Sequence, residues 1–163
     1  MNFVKLQISC LLVTFYLIWI YLWQIKDKKI PKNRIFELLL IVIPLEIIFD
    51  GITAWTVNHT ELISRNLNLT LHAIFFTTPQ FCMPVILYYI LNEIRKIPKP
   101  LLLKILIFLP AAISEILIIF FLPQLKFIQG KTTWYSFGTS VIAVYSCIMF
   151  YFLMIFILTI VKI

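Results

Sequence analysis

The chain has 163 residues, 62% of them hydrophobic and 13% charged, with a mean hydropathy of +1.01 and a net charge of +7. Apolar residues make up only about half of an ordinary globular sequence. The composition therefore excludes a soluble domain and points to an all-α, polytopic transmembrane bundle. The basic excess does not indicate nucleic acid. It gathers in "KDKKIPKNR" (Lys26 to Arg34) and "RKIPKP" (Arg95 to Pro100), each between long apolar runs, where lysine and arginine set membrane orientation.

Five runs reach the roughly 20 apolar residues that a bilayer crossing needs. They cover residues 3–23, 35–57, 67–91, 101–122 and 134–161, and together predict a single domain over 1–163. The first exceeds the 7–15 or so apolar residues of a signal peptide, and it ends on Trp19, Tyr21 and Trp23 instead of the small residues of a cleavage site. The first loop carries Lys26, Lys28, Lys29, Lys32 and Arg34, and Glu37 beyond it is expected to snorkel or to pair with a loop lysine. Pro44 lies within the second run. The second loop balances Arg65 against Glu61, and Pro79 and Pro84 fall in the third run. The third loop carries Arg95, Lys96 and Lys99, with Lys104 and Pro110 in the fourth run. The fourth loop has Lys126 and Lys131. Positive-inside counting puts loops one and three in the cytoplasm, the N-terminus outside and the C-terminus inside. Each proline removes a backbone hydrogen bond and favours a kink. The fifth run, about 28 residues or about 42 Å, overshoots a hydrocarbon core of about 30 Å and predicts a strong tilt or a cytoplasmic projection.

Motifs for chemistry are missing. The cysteines Cys10, Cys82 and Cys147 each sit in an apolar run with no CxxC spacing, so neither a disulfide nor a thiolate metal site is expected. No HExxH, GxSxG or Walker pattern occurs, and His59 and His72 do not supply a metal-ligand spacing. No catalysis and no cofactor are expected. The sequons at Asn58 and Asn68 are common by chance, and the second lies close to the membrane.

The informative stretch is "PLEIIFDGITAW" (Pro44 to Trp55). It places Glu46 and Asp50 four residues apart, on one helix face. An ionised acid turned to lipid costs at least about 2.5–3.5 kcal/mol, so that face should turn inward. His72, Glu115, Thr139 and Ser140 fall at a similar level, about 7–11 Å below the outer surface at 1.5 Å per residue. Glu46, Thr77, Thr78 and Gln80 lie deeper. On one reading Asp50, His72, Glu115 and Ser140, with Glu46 beneath, line an outward-opening pocket for a small molecule or a proton. On the other they are structural hydrogen bonds between helices, each under about 2 kcal/mol. At the level of the sequence both stand.

The segments "LEIIFDGITAWTVNH", "RNLNLTLHAIFF" and "LPQLKFIQGKTTWYSFGTSV" resemble the N-terminal multi-spanning input region of bacterial membrane-bound diguanylate cyclases, the GGDEF proteins. The matching positions are Asp50, Asn58, Leu67, Asn68, Gly130, Thr132, Tyr135, Ser136 and Gly138, within roughly residues 35–145. The resemblance implies a sensory module in a bacterial cell membrane. Its partners would be the bilayer and either a second copy or a cytoplasmic output domain. The 163 residues contain no GGDEF motif, and the last run's abrupt finish is what an input region cut from a longer protein would show. Two other functions fit the same composition. One is part of a small transporter using the acids as proton or substrate sites. The other is a passive anchor or assembly subunit.

The orientation is directly testable. A reporter active only in the cytoplasm, fused after Ile163, is expected to be active, and one that works only outside the cell is expected to be silent. The reverse result would invert the topology.

Overall fold

The computed structural model describes residues 5–28, 30–94, 101–131 and 133–161, so Lys29, the basic residues of the third loop and Thr132 lie outside the described residues. Five long helices follow one another: α1 (Lys5–Lys26), α2 (Arg34–Val57), α3 (Arg65–Tyr89), α4 (Leu101–Phe121) and α5 (Thr139–Ile160). The all-α helical bundle expected from the sequence is therefore present. Four helical segments are long and apolar enough to cross a membrane: α1, α3 with its extension to Asn92, α4 with its extension to Gln124, and α5. The chain is a membrane protein on that ground. The α2 helix, with its two mid-run acids, is not among the four.

Local chemistry explains the helix ends. The Asn33 Oδ1 accepts from the backbone N–H groups of Ile35 and Phe36 and so caps α2. Ser64 does the same for α3 through Leu67 N–H. Pro44, Pro79, Pro84 and Pro110 all lie inside continuous helices. Past Tyr89, α3 widens into a π-helical turn, Ile90–Ile94.

The fifth run departs from expectation. Residues 134–161 are not one helix. Trp134–Phe137 form a strand, β2, antiparallel to β1 (Lys126–Gln129), with Lys126 opposite Phe137 and Gln129 opposite Trp134. The turn closes through Gly130 N–H to Thr133 O at 2.8 Å, and a Cβ on Gly130 would stand 2.9 Å from that same oxygen. Gly138, at φ +156°, breaks the strand from α5 in a conformation that disfavours other residues. The helix that remains has 22 residues, about 33 Å at 1.5 Å per residue, so the expected overshoot disappears.

The helices pack in a definite order. The α1 helix lies on α2, α2 on α3, α3 also on α4 and α5, and α4 on α5. The α3 helix is the hub, and nearly half of its most apolar stretch is buried. Each of the five pairings has a hydrogen bond across it. Gln7 donates to Asp50 between α1 and α2 (2.8 Å), and Thr56 to Asn68 between α2 and α3 (2.9 Å). Thr77 donates to Glu115 between α3 and α4 (2.6 Å), and Gln80 to the Val144 carbonyl between α3 and α5 (3.5 Å). Ser114 donates to the Ala143 carbonyl between α4 and α5 (3.1 Å). Small apolar clusters fill the space between, such as Phe76, Ile118, Leu125 and Val144. The outer faces remain apolar, with Leu101, Ile116 and Phe120 each about 70% exposed. Soluble monomers rarely show contiguous apolar surface of this kind.

One tie braces a proline. Tyr151, fully buried on α5, donates from its hydroxyl to the Ile107 carbonyl (2.6 Å) and accepts from Ala111 N–H (3.2 Å). Those two groups are an i, i+4 pair straddling Pro110, where the helix has lost a bond of its own. The Tyr151→Phe variant removes both bonds from a buried position. It is expected to lower stability by about 1–3 kcal/mol, read as a lower thermal midpoint in detergent, while Tyr145→Phe, at an exposed position on the same helix, should leave the midpoint unchanged.

Candidate functional site

Glu46 and Asp50 share a cavity of about 260 Å³. The α2 helix contributes the two acids and Ile47, α3 contributes Phe75, Phe76 and Pro79, and α5 contributes Val144, Tyr145 and Ile148. The four-residue spacing stacks the carboxylates one turn apart, and both turn toward neighbouring helices as the cost of facing lipid requires. Among the described residues, no lysine, arginine or histidine comes within 4 Å of either acid. By contrast Glu37, near the start of α2, lies 3.5 Å from Lys32, which realises the lysine pairing expected for it. The Asp50 Oδ2 accepts from Gln7, so a single carboxylate both joins α1 to the bundle and lines the cavity.

The other residues expected in the pocket are distributed differently. His72 is buried on α3, one turn before Phe76. Its Nδ1 lies 2.8 Å from the Asn68 carbonyl, and since a carbonyl only accepts, Nδ1 carries the proton. Its ring packs edge-on to Phe76 and against Phe127 of β1, with centroids 5.7 Å and 5.3 Å apart. Ser140 is fully buried at the start of α5, one turn before Val144, and its Oγ has no hydrogen-bond partner among the described residues. Glu115 is elsewhere. It lies in the seam between α3 and α4, bonded to Thr77, beside a separate cavity of about 240 Å³ that shares no lining residue with the acidic one. The side of α3 that bears Thr77 faces α4, while Phe76 and Pro79 face α2 and α5, so equal depth did not mean a common pocket. The structure thus gathers Glu46 and Asp50, sets His72 and Ser140 one turn from cavity-lining residues, and separates Glu115.

The β-hairpin closes over this end of the bundle. Leu125 is fully buried among Phe76, Ile118 and Val144, and two of those also line the acidic cavity. Arg65 donates to the carbonyls of Pro123 and Leu125 (3.1 and 3.5 Å). The Asn58 Oδ1 accepts from the Thr133 hydroxyl and from Trp134 N–H, both at 3.0 Å, while its Nδ2 donates to the Ala54 carbonyl. With Asn58 fully engaged and Asn68 buried, neither sequon presents a free amide. The sequence reading missed Gln7, Arg65 and Thr133. Gln7 left one usable signal, a lone amide in an apolar run near the same end of the bundle as Asp50. The other two left none, because their contacts span 58 and 75 residues.

Among the described residues, no group of three or more histidine, cysteine or acidic side chains is placed to hold a metal ion. Comparison with protein-family models, with curated proteins and with solved structures gave no match.

The Gln7–Asp50 bond is separable from the rest of the site. In a double-mutant cycle with Gln7→Leu and Asp50→Leu, the coupling is expected at about 0.5–2 kcal/mol, in the range of intramembrane hydrogen bonds. A coupling near zero would show that α1 is held by packing alone.

Proposed function

We propose that the chain is a multi-pass sensory or regulatory module of a bacterial cell membrane, in which Glu46 and Asp50 receive the signal. In this reading α2 crosses the bilayer as well. It is 24 residues long, about 36 Å at 1.5 Å per residue, and packs along both α1 and α3. The observation that carries the proposal is the pair of carboxylates turned to one cavity with no cation opposite among the described residues. An acid serving only as a structural tie gains from a paired or fully bonded environment. Two acids left facing a shared cavity suit a proton or a small cationic molecule. The hairpin above the cavity shares Phe76 and Val144 with its walls, so occupancy below and hairpin seating above act on the same side chains. Coupling to a cytoplasmic diguanylate-cyclase output, in the same polypeptide or in a partner, is the output that the sequence resemblance implies.

A second reading has one observation in its favour. The Gln7–Asp50 bond is what a passive anchor would use to join α1 to α2. Asparagine at position 50 separates the two, because its carbonyl still accepts from Gln7 but it carries no charge. The module is fused to a cyclase-type output, and cyclic di-GMP is followed against external pH and a panel of small amines. Asp50→Asn and Glu46→Gln are each expected to abolish the response at unchanged expression and thermal stability. A response that survives both substitutions overturns the site. Loss that tracks lowered expression assigns the acids to structure.

A further inference from the structure

The opposite end of the α1–α2 pair holds a second cavity, of about 590 Å³. It is lined from Thr14 to Gln24 on α1 and, running the other way, from Ile43 to Phe36 on α2 and on to Asn33 in the loop, with Tyr89 of α3 beside them. Ten residues of helix are about 15 Å at 1.5 Å per residue, half of a hydrocarbon core of about 30 Å. The groove is one leaflet deep. Gln24 and Asn33 stand at the mouth beside Ile30 and Pro31, and Leu17, Leu40 and Ile43 line the depth, where the Thr14 hydroxyl is bonded to the Cys10 carbonyl of its own helix.

The residues that adjoin the mouth are basic. Lys26, Lys28, Lys32 and Arg34 are all exposed there, against the acids Asp27 and Glu37, and Lys29 adds a further positive charge in the sequence. One of these cations, Lys32, is shared with Glu37 at 3.5 Å. The excess remains positive. The groove has a volume of about 590 Å³. It lies within the about 300–1,000 Å³ of small-molecule sites.

We infer that this groove binds one anionic phospholipid, with an acyl chain laid between α1 and α2 and the phosphate head group against the cations of the first loop. The apolar depth is of no use to a soluble anion, and the basic mouth is of no use to a neutral lipid. Basic residues beside a membrane helix attract anionic head groups through this same electrostatic term. The inference is independent of the acidic cavity and of any signalling role.

The test uses the full chain purified in a neutral detergent, with bound lipid counted by native mass spectrometry and the thermal midpoint recorded alongside. Phosphatidylglycerol is compared with phosphatidylcholine of identical chains and with inorganic phosphate. Phosphatidylglycerol is expected to bind on the order of tenfold more tightly than phosphatidylcholine, from a net excess of a few charges, and to raise the midpoint. Phosphate should do neither. Combined Lys32→Gln and Arg34→Gln should erase the preference between the two lipids but keep chain binding. Leu17→Trp, which fills the groove with apolar volume, should remove binding of both lipids at unchanged helicity, and Ile43→Phe repeats that arm should the tryptophan variant fail to fold. Equal binding of the two lipids overturns the inference, and so does binding that survives the filled groove. A shift with phosphate alone reassigns the mouth to a soluble anion, and a dimer that excludes lipid reassigns the groove to a second copy.

Discussion

Hydrogen bonds between helices are the interaction on which this architecture rests. In lipid the hydrophobic effect no longer drives helices together, because the hydrocarbon is as apolar as the side chains. What remains is close packing and the satisfaction of polar groups that lipid leaves unsolvated. Each of the five helix pairings described above has such a bond: Gln7 to Asp50, Thr56 to Asn68, Thr77 to Glu115, Gln80 to Val144, and Ser114 to Ala143. None is strong by itself. Together they define which faces meet and in what register, a task the apolar surfaces perform poorly since leucine and isoleucine fit many partners.

This arrangement makes α3 the organiser. Asn68 and Gln80 are buried on it, and Thr77 sits on its α4-facing side. Those residues address α2, α5 and α4 in turn. A helix that must satisfy polar groups on several sides has little freedom to rotate, and α1, tied through α2 alone, has the most. The exposure of α1 follows, since Tyr21 is its one buried residue among those described. The hairpin after α4 then seals the end of the hub. Leu125 enters the core, and Arg65 and Asn58 take up loop carbonyl and amide groups.

The acidic cavity sits within that frame and departs from it. Elsewhere Thr56, Asn68, Gln80 and Ser114 are buried polar groups that join helices. At Glu46 no joining bond is made among the described residues, and at Asp50 the bond to Gln7 uses one oxygen of two. Four buried oxygens, on Gln7, Gln80, Glu115 and Ser140, also lack partners among the described residues. Polar groups that cost free energy to bury and repay little in structure are the ones function tends to keep. In the bundle they lie on α1, α3, α4 and α5.

Much of this protein is written in its sequence. Membrane residence follows from composition, and four helix boundaries follow within a few residues from apolar run length, because both depend on local transfer free energy. The inward turn of Glu46 and Asp50 follows from helical period and the cost of a charge in lipid. The pairing of Glu37 with a neighbouring lysine is equally local. Tertiary structure decided the rest. Depth along a helix can be counted from sequence, but rotation about its axis depends on which neighbours pack where. Glu115 therefore shared the expected level with Asp50 yet faces the α3–α4 seam. The strand Trp134–Phe137 read as the start of a span because its aromatics are as apolar as a helix turn. Only its partner Lys126–Gln129, joined through Gly130 and ended at Gly138, makes it a hairpin. A strand exists by virtue of its neighbour, and no single run of residues contains that information.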